Sequence, residues 1–249
     1  DEADRMLDMG FFDDIANVAR QCPAQRQTLL FSATYPEGIA RLASQFLREP
    51  LTVKVEAQHA GGQIEQRWYE VTEGERLHAV SRLLNHFRPA STLAFCNTKA
   101  QCRDLAAVLT AQGFSALALY GELEQRERDQ VLVRFANRSC SVLVATDVAA
   151  RGLDIASLAA VINVDVTPDP EVHVHRIGRT GRAGETGLAL NLASLPEMGY
   201  VGRIEQLQER ACDWHALDEL TPTGEGPLVP PMVTLHIQGG RKEKIRPGD

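Results

Sequence analysis

The sequence lacks the long apolar run that a membrane-spanning helix requires. No stretch of about 18 consecutive apolar residues occurs in it, and this excludes a helix that crosses a membrane. Apolar residues still make up 44% and charged residues 24% of its 249 residues, the ordinary composition of a soluble globular chain. This length permits one large domain or two modest ones. We therefore expect a soluble protein with a buried core and no membrane partner.

Cysteine is scarce and shows no pairing pattern. The sequence has five cysteines, an odd number, and no C-x-x-C pair. They are Cys22, Cys96, Cys102, Cys140 and Cys212. This pattern argues against a zinc site and a disulfide framework, and it fits a reducing compartment. We expect a cytoplasmic protein without zinc.

The phosphate-cradling loop of many nucleotide-binding proteins is also missing. That loop has the pattern G-x-x-x-x-G-K-[ST], and no glycine in this sequence precedes a lysine. In addition, the first residue is aspartate rather than methionine. We expect the chain to be a fragment of a longer protein.

Positive charge is in the minority, yet it is concentrated at one place. The net charge of −7 argues weakly against nonspecific adhesion to nucleic acid, but it does not exclude a local basic groove. Residues 175–184 contain Arg176, Arg179 and Arg182, interleaved with glycines. Guanidinium groups fit phosphate oxygens, and glycine lets a ligand approach the backbone. We interpret this cluster as a phosphate-binding site; the alternative is a solvated basic loop.

Strand-like and helix-like segments alternate through most of the chain. We predict strands at 65–71, 92–96, 116–120, 142–145, 160–164 and 187–192, and helices at 73–86, 99–112, 125–135 and 196–209. This alternation predicts an α/β fold in which helices cover both faces of a parallel sheet. Ligands bind such sheets beyond the carboxyl ends of the strands. The sequence places Thr98, Gly121, Thr146 and Asp147 there.

The two ends of the chain differ from this alternating region. Before it, we predict helices through residue 9 and at 12–20 and 36–47, and strands at 28–31 and 51–55. Residues 58–63 lack periodicity and contain glycine, which predicts a linker. The proline-rich segment 215–231 predicts a second linker. The tail 232–249 alternates like a strand and then becomes basic; the alternative is a frayed, solvated terminus.

The first four residues, Asp1-Glu2-Ala3-Asp4, carry three carboxylates. An aspartate at a strand end can hold Mg²⁺ through its waters, and an adjacent glutamate can orient a water for phosphoryl transfer. The alternative is a solvated helix N-terminus, which the helix dipole stabilises. Farther along, Ser32 and Thr34 place two hydroxyls after the strand predicted at 28–31.

Six segments, taken in order, resemble the later motifs of the DEAD-box RNA helicases. They are Asp1-Glu2-Ala3-Asp4; Ser32-Ala33-Thr34; Ala94-Phe95-Cys96-Asn97-Thr98; Gln125 with Arg128; Ala145-Thr146-Asp147 with Arg151-Gly152-Leu153-Asp154; and residues 175–184. Together they cover roughly residues 1–193. The tail 232–249, with Gly239-Gly240-Arg241-Lys242, resembles the start of the RNA-binding domain of DbpA-type bacterial helicases.

The resemblance implies a domain organisation, an activity and partners. It implies the C-terminal part of a RecA-like domain at 1–57, a linker at 58–63, a complete RecA-like helicase domain at 64–214, a linker at 215–231, and the start of a truncated RNA-binding domain at 232–249. The implied activity is local unwinding of RNA duplexes coupled to ATP hydrolysis, with ATP and Mg²⁺ as cofactors. A DbpA-type tail further implies a ribosomal RNA hairpin as the target and a role in large-subunit ribosome assembly. We expect a monomer.

The resemblance also assigns roles around the nucleotide. Asp1 would hold the magnesium shell, and Glu2 would activate the hydrolytic water. Arg179 and Arg182 would reach the γ-phosphate as arginine fingers, and Asp154 would meet the ribose of ATP. The residues implied to couple hydrolysis to strand separation are Asp4, Ser32, Thr34 and His175.

A second set of residues is implied to contact RNA. Thr98, Gly121 and Thr146 would touch the sugar–phosphate backbone. The residues implied to brace that surface are Gln125, Arg128 and Arg151. Tyr120 stands where the family usually has histidine, so the resemblance assigns no role to its side chain.

Three other functions stay open from the sequence. The first is an RNA clamp that binds ATP without turnover, against which the intact Glu2 and finger arginines argue. The second is a DNA helicase or translocase with a similar pair of domains, and the third is a DEAD-box protein with an unrelated tail and another RNA target. Because the phosphate-cradling loop is missing, we expect this chain alone to be inactive.

Overall fold

The structure, a computed structural model, describes residues 2–32, 37–53, 64–150, 153, 158–181 and 186–235. The chain divides into two compact units, Asp1–Gln58 and His59–Asp249. The linker predicted at 58–63 lies outside the described residues. None of the described helices is both long and apolar enough to cross a membrane.

The described part of the first unit is helical. It contains α1 (Ala3–Asp8), α2 (Phe12–Gln21) and α3 (Glu37–Phe46). These helices meet around the buried side chains of Ala3, Ile39 and Leu42. Their bounds agree closely with the helices that the sequence predicts.

The strand predicted at 28–31 does not form. Leu29 and Phe31 are 68% and 60% exposed, whereas Leu30 packs against the helical core. The side chains therefore alternate as in a strand, but no second strand among the described residues of this unit pairs with the segment. A strand is stabilised by the hydrogen-bond ladder of its neighbour. For the same reason, residues 51–53 of the strand predicted at 51–55 carry no strand, and both predictions are wrong for the described residues.

The second unit is built on a parallel sheet. Its described strands are β1 (Ile64–Glu70), β2 (Thr92–Phe95), β3 (Ala116–Leu119), β4 (Val142–Ala145), β5 (Ala160–Asn163), β6 (Gly187–Ala193) and β7 (Trp214–His215). They lie in the order β3-β4-β2-β5-β6-β1-β7, and every neighbouring pair is parallel. The predicted α/β fold with a parallel sheet is confirmed. The two-residue strand β7 is too short to leave a pattern in the sequence.

Helices cover both faces of this sheet. They are α4 (Arg76–Phe87), α5 (Lys99–Ala111), α6 (Gln125–Ala136), α7 (Asp147–Ala150), α8 (Pro170–Ile177) and α9 (Met198–Gln208). Val144 of β4 belongs to the apolar cluster that contains Leu105 of α5, whereas its neighbour Leu143 belongs to the cluster that contains Phe135 of α6. Because successive side chains of a strand point to opposite faces, the two clusters lie on the two sides of the sheet. The sequence missed α7 and α8.

The carboxyl ends of four neighbouring strands are level with one another. Ala145 of β4 pairs with Leu119 of β3 on one side and with Phe95 of β2 on the other. Phe95 in turn pairs with Asn163 of β5. The loops after these strands therefore start from one edge of the sheet, which is the edge where parallel sheets bind ligands.

Part of the segment predicted as the second linker packs against α4. Leu220 is only 6% exposed. Arg82 donates to the carbonyl of Leu217 at 2.6 Å, and Nδ1 of His86 lies 3.1 Å from the backbone oxygen and nitrogen of Thr221. One buried leucine and a few backbone contacts anchor this segment, although its proline content is that of a linker. The strand predicted in the tail does not form in residues 232–235.

A buried histidine makes the stability of the second unit depend on pH. His173 is 1% exposed and stacks on Trp68 with 5.4 Å between the ring centroids. Burial, helped by the nearby charge of Arg176, lowers the pKa of His173 to about 3, whereas an unfolded histidine titrates near 6.5. The unfolded chain therefore binds a proton that the folded chain excludes, and stability falls as the pH falls through 6.5.

We expect the His173 contribution to cost about 2 kcal/mol of unfolding free energy between pH 7 and pH 5. Urea unfolding at both pH values, followed by tryptophan fluorescence, measures the loss. His173→Phe keeps an aromatic ring on Trp68 but cannot titrate, so the variant should lose that much less stability than the parent between the two pH values. Equal losses in both proteins would show that His173 is not responsible.

Candidate functional site

In the first unit, the predicted residues lie at the start of α1. Glu2 has a φ of 51°, a left-handed conformation that is uncommon for residues other than glycine. Its carbonyl accepts a hydrogen bond from the amide of Met6 at 3.0 Å. The amide of Asp4 donates to Oγ of Ser32 at 3.1 Å. The structure therefore brings together two of the predicted coupling residues, Asp4 and Ser32, through the backbone of Asp4.

Several predicted residues lie outside the part of the chain that the structure describes. They are Asp1, Thr34, Arg151, Asp154 and Arg182. Their roles stay predictions, and so does the pairing of His175 in the second unit with Asp4 in the first. Among the described residues, no group of three or more His, Cys, Asp or Glu side chains could hold a metal ion.

Two of the predicted RNA-binding threonines cap helices at the level edge of the sheet. Thr98 follows β2 as the N-cap of α5, and its Oγ1 accepts from the amide of Gln101 at 3.2 Å. Thr146 follows β4, and its Oγ1 accepts from the amide of Ala149 in α7 at 3.4 Å. Helix N-termini offer unpaired amides and a positive dipole to phosphate groups. The turn of Thr98, at the start of the 13-residue helix α5, is therefore suited to a phosphate backbone.

Gly121 follows the neighbouring strand β3 at the same edge. A Cβ atom built on it would meet no other atom within 4 Å. The protein itself therefore does not require glycine at this position, and a close approach of a ligand to the backbone would explain it.

We expect Gly121→Ala to weaken the binding of single-stranded RNA about tenfold, because the added methyl would stand between the RNA and the backbone. Its unfolding free energy should stay within about 0.5 kcal/mol of the parent. Fluorescence anisotropy with a labelled oligouridylate measures the affinity. An unchanged affinity would contradict a backbone contact at Gly121.

Arg128 and Gln125 both lie in helix α6, but their side chains make different contacts. Arg128 donates from Nη2 to the carbonyl of Ala149 at 2.6 Å, which ties α6 to the short helix after Thr146. Gln125 donates to Asp129 of its own helix at 2.7 Å. The bracing role predicted for Arg128 has a direct contact in the described structure, and that of Gln125 stays a prediction.

Of the predicted arginine cluster, Arg176 lies in helix α8 and Arg179 lies in the turn after it. Asp169 caps this helix by accepting from the amide of Glu171 at 2.9 Å, and Pro170 occupies the first turn. His175 is exposed, whereas Arg176 is 2% exposed and points into the unit. The sequence interpretation of a shared phosphate site is therefore wrong for Arg176. A helix turns by about 100° per residue, so adjacent residues face different surroundings.

All the N–H donors of Arg176 are used inside the second unit. Its Nε and Nη2 hold the carboxylate of Asp147, each at 2.7 Å. Nη2 also donates to Oδ1 of Asn97 at 3.0 Å, and Nη1 donates to the carbonyl of Asp165 at 2.8 Å and to Oδ1 of Asn163 at 3.3 Å. A guanidinium has five N–H groups, and five bonds are made. No donor remains for a phosphate.

Asp165 supports the same network from the end of β5. Its Oδ2 accepts from the amide of Asn97 and its Oδ1 from Nε2 of Gln101, both at 2.8 Å. Burial raises the pKa of this carboxyl, although these hydrogen bonds oppose the rise. Asp165 therefore fixes the turn that carries Thr98.

The turn after α8 holds Arg179. The amide of Leu158 donates to the carbonyl of Arg179 at 3.2 Å, Oγ1 of Thr180 donates to the carbonyl of Leu158, and Nη1 of Arg179 donates to the carbonyl of Leu153 at 3.3 Å. A Cβ on Gly187, the first residue of β6, would lie 2.6 Å from Oγ1 of Thr180. Gly187 therefore allows β6 to pass directly under the turn.

The sequence interpretation missed Asp165 and Gly187 as contributors to the site, and it assigned Arg176 to phosphate binding. Arg176 carried a signal, because it belongs to the arginine cluster, but its chemistry does not distinguish a phosphate ligand from a buried ion pair. Asp165 and Gly187 carried none, since their partners are distant in sequence.

Comparison with known proteins identifies the family. Residues 1–42 match the family described as DEAD/DEAH box helicase, and residues 75–184 match the helicase conserved C-terminal domain. A solved chain of the Escherichia coli DEAD-box protein SrmB is 31% identical with a TM-score of 0.60, and the match covers 66% of this chain and 98% of that one. The chain belongs to the DEAD-box helicase family.

Two further DEAD-box relatives extend the likeness. The ATP-dependent RNA helicase DbpA of Escherichia coli (strain K12) is 49% identical over 252 residues, which cover 100% of this chain and 54% of that protein. A structure of Saccharomyces cerevisiae Dbp5 bound to RNA and ADP BeF3 matches with a TM-score of 0.77 and 28% identity, over 88% of this chain and 59% of that one. The fold is thus that of the RecA-like DEAD-box domains. The chain spans about half the length of the curated relatives it matches.

Proposed function

We propose that the protein is an ATP-dependent RNA helicase that separates short RNA duplexes locally. The observation that carries the proposal is the level edge of the sheet. Three neighbouring strands end in register there, and each is followed by a predicted RNA-binding residue, Thr98, Gly121 or Thr146. Backbone amides and hydroxyls in such a row read phosphates and 2′-hydroxyls rather than bases, so binding should tolerate many sequences.

ATP and Mg²⁺ fit the donor groups of the chain. When bound, ATP supplies the phosphoryl group whose transfer to water drives the cycle. Arg179 is held in a fixed turn by Leu158 and Leu153, which suits a guanidinium that stabilises phosphoryl charge. Carboxylates are the ligands that Mg²⁺ prefers, and Asp1 would hold its water shell while Glu2 orients the attacking water.

We further propose a role in large-subunit ribosome assembly, with a ribosomal RNA hairpin as the target. The likeness to Escherichia coli DbpA, which extends over the whole chain, supports a DbpA-type protein with an RNA-binding domain that begins near residue 232. A cytoplasmic location and a monomeric state belong to the same proposal. A ribosomal RNA hairpin should compete more effectively than random RNA of equal length for binding to the full-length protein.

ATPase measurements on the full-length protein test the helicase proposal. We expect RNA to stimulate phosphate release about tenfold or more over DNA of the same sequence, because hydrogen bonds to several 2′-hydroxyls are lost with DNA. Glu2→Gln should abolish turnover while RNA binding persists. Equal stimulation by DNA would favour a DNA translocase, and unchanged RNA remodelling by the Glu2→Gln variant would favour an ATP-gated clamp.

The chain of 249 residues is expected to be inactive by itself. It contains no G-x-x-x-x-G-K-[ST] loop, and the β- and γ-phosphates of ATP depend on that loop for their binding. RNA-stimulated phosphate release by the purified chain would contradict this expectation.

A further inference from the structure

Arg176 contacts two parts of the second unit, the Arg179 turn and the level edge of the sheet. The proposed function assigns ATP to the first and RNA to the second. Its backbone carbonyl accepts the amide of Arg179 at 3.2 Å, so it is part of the turn that holds the predicted arginine finger. Its side chain extends away from that turn and reaches the level edge of the sheet. One residue is therefore in direct contact with both places.

At the sheet edge, Arg176 holds the residues next to both RNA-binding threonines. The carboxylate of Asp147, which follows Thr146, receives two bonds of 2.7 Å. The side chain of Asn97, which precedes Thr98, receives one of 3.0 Å. The two turns belong to different strands, β2 and β4, and the guanidinium bridges them.

The geometry of this bridge is specific to arginine. The guanidinium is planar and presents its five N–H groups in a fixed fork, and it lies over the ring of Phe95 at 5.1 Å. Lysine offers the same charge but only three donors from one point. It could not hold Asp147 bidentately and reach Asn97 at the same time. A movement of either turn would therefore have to displace the fork or break its hydrogen bonds.

We propose that Arg176 is a positioning residue that couples RNA binding at the Thr98 and Thr146 turns to the nucleotide-side turn of Arg179. This inference rests on the proposed helicase function. Coupling of this kind is a free energy shared by two ligands, so that each raises the binding affinity of the other by the same factor. A fork buried in a packed interior moves as a unit rather than bending, and this makes it a suitable connection.

Arg176→Lys in the full-length protein tests the proposal. The affinity for a labelled oligouridylate is measured by fluorescence anisotropy without nucleotide and with a non-hydrolysable ATP analogue. The ratio of the two affinities is the coupling factor. We expect Arg176→Lys to lower this factor about fivefold or more relative to the parent. Asp147→Asn, which removes the bidentate partner, should lower it in the same direction.

Leu84→Ala is the control for lost stability. Leu84 lies near the C-terminal end of α4, is 4% exposed, and packs in an apolar cluster of the second unit. Its truncation should cost about 2–5 kcal/mol of unfolding free energy, but its side chain has no polar group that could hold the Thr98 or Thr146 turn. Leu84→Ala should therefore lose thermal stability but keep the coupling factor of the parent.

The possible results distinguish a failure of the proposed function from a failure of the role proposed for Arg176. A parent protein that shows no RNA binding, or no tightening with the ATP analogue, would overturn the proposed function. A parent that couples normally, together with an Arg176→Lys variant of unchanged coupling factor, would overturn the role of Arg176 alone. Equal losses of coupling in Arg176→Lys and Leu84→Ala would also overturn it, because the effect would then be general destabilisation.

Discussion

Gly187→Ala should lower the turnover number of the full-length protein about 100-fold, because a shift of roughly 1 Å in a catalytic group costs that much. The added methyl would lie 2.6 Å and 2.7 Å from Oγ1 and Cγ2 of Thr180, and it would also press on the backbone nitrogen of Gly181. These atoms form the turn that follows Arg179. Backbone cannot move aside as a flexible side chain can, so the turn itself must shift.

The same substitution should lower the unfolding free energy by about 1–3 kcal/mol, the usual cost of overpacking. Urea unfolding of the second unit measures this loss, and single-turnover hydrolysis measures the effect on Arg179. Gly199→Ala and Gly202→Ala are the controls. Both glycines lie in α9, where an added Cβ meets no other atom within 4 Å, and alanine should stabilise the helix by about 0.5–1 kcal/mol. Full activity of Gly187→Ala would show that β6 does not support the turn.

The sequence was sufficient for the architecture of the second unit. The central strands are buried at every position because both faces are covered, and this made their mostly apolar runs recognisable. Their ends also located Thr98 and Thr146 correctly at the sheet edge. Only local information was needed, since a parallel strand and the helix that follows it are each encoded by a few consecutive residues.

The residues that the sequence left unassigned or assigned wrongly depend on distant contacts. The main partner of Arg176 is Asp147, which lies 29 residues earlier in the chain. Glycine is required at position 187 because β6 passes close to Thr180 in the turn after α8. The strand predicted around Leu29 and Phe31 is wrong because a long-range contact is missing. The side chains alternate as in a strand, but the segment finds no partner strand among the described residues of its unit. In each case the local pattern was read correctly, and a long-range contact decided the outcome.

Arg179→Ala should have a large effect on catalysis in the full-length protein. We expect the turnover number to fall about 1,000-fold, because an arginine that stabilises phosphoryl charge contributes this order of rate. The side chain is half-buried, and its bond to the carbonyl of Leu153 is 3.3 Å long. Since a typical single substitution costs about 0.5–3 kcal/mol, the folded state should survive the substitution. RNA affinity without nucleotide should not change, because Arg179 lies in the turn after α8 and not at the level edge of the sheet.

The contrast with Arg176 decides whether the two arginines differ as the structure indicates. Arg179→Ala should lose hydrolysis at nearly unchanged stability, whereas Arg176→Ala should lose about 3–5 kcal/mol, because it leaves the carboxylate of Asp147 without its buried partner. Arg203→Ala, on the exposed face of α9 beside Tyr200, controls for the loss of a surface arginine and should change neither quantity. Hydrolysis rates and urea unfolding of all three variants make the comparison. A stable Arg176→Ala protein with a 1,000-fold loss of turnover would place the phosphate contact on Arg176 instead, and the assignment of Arg179 as the finger would then be wrong.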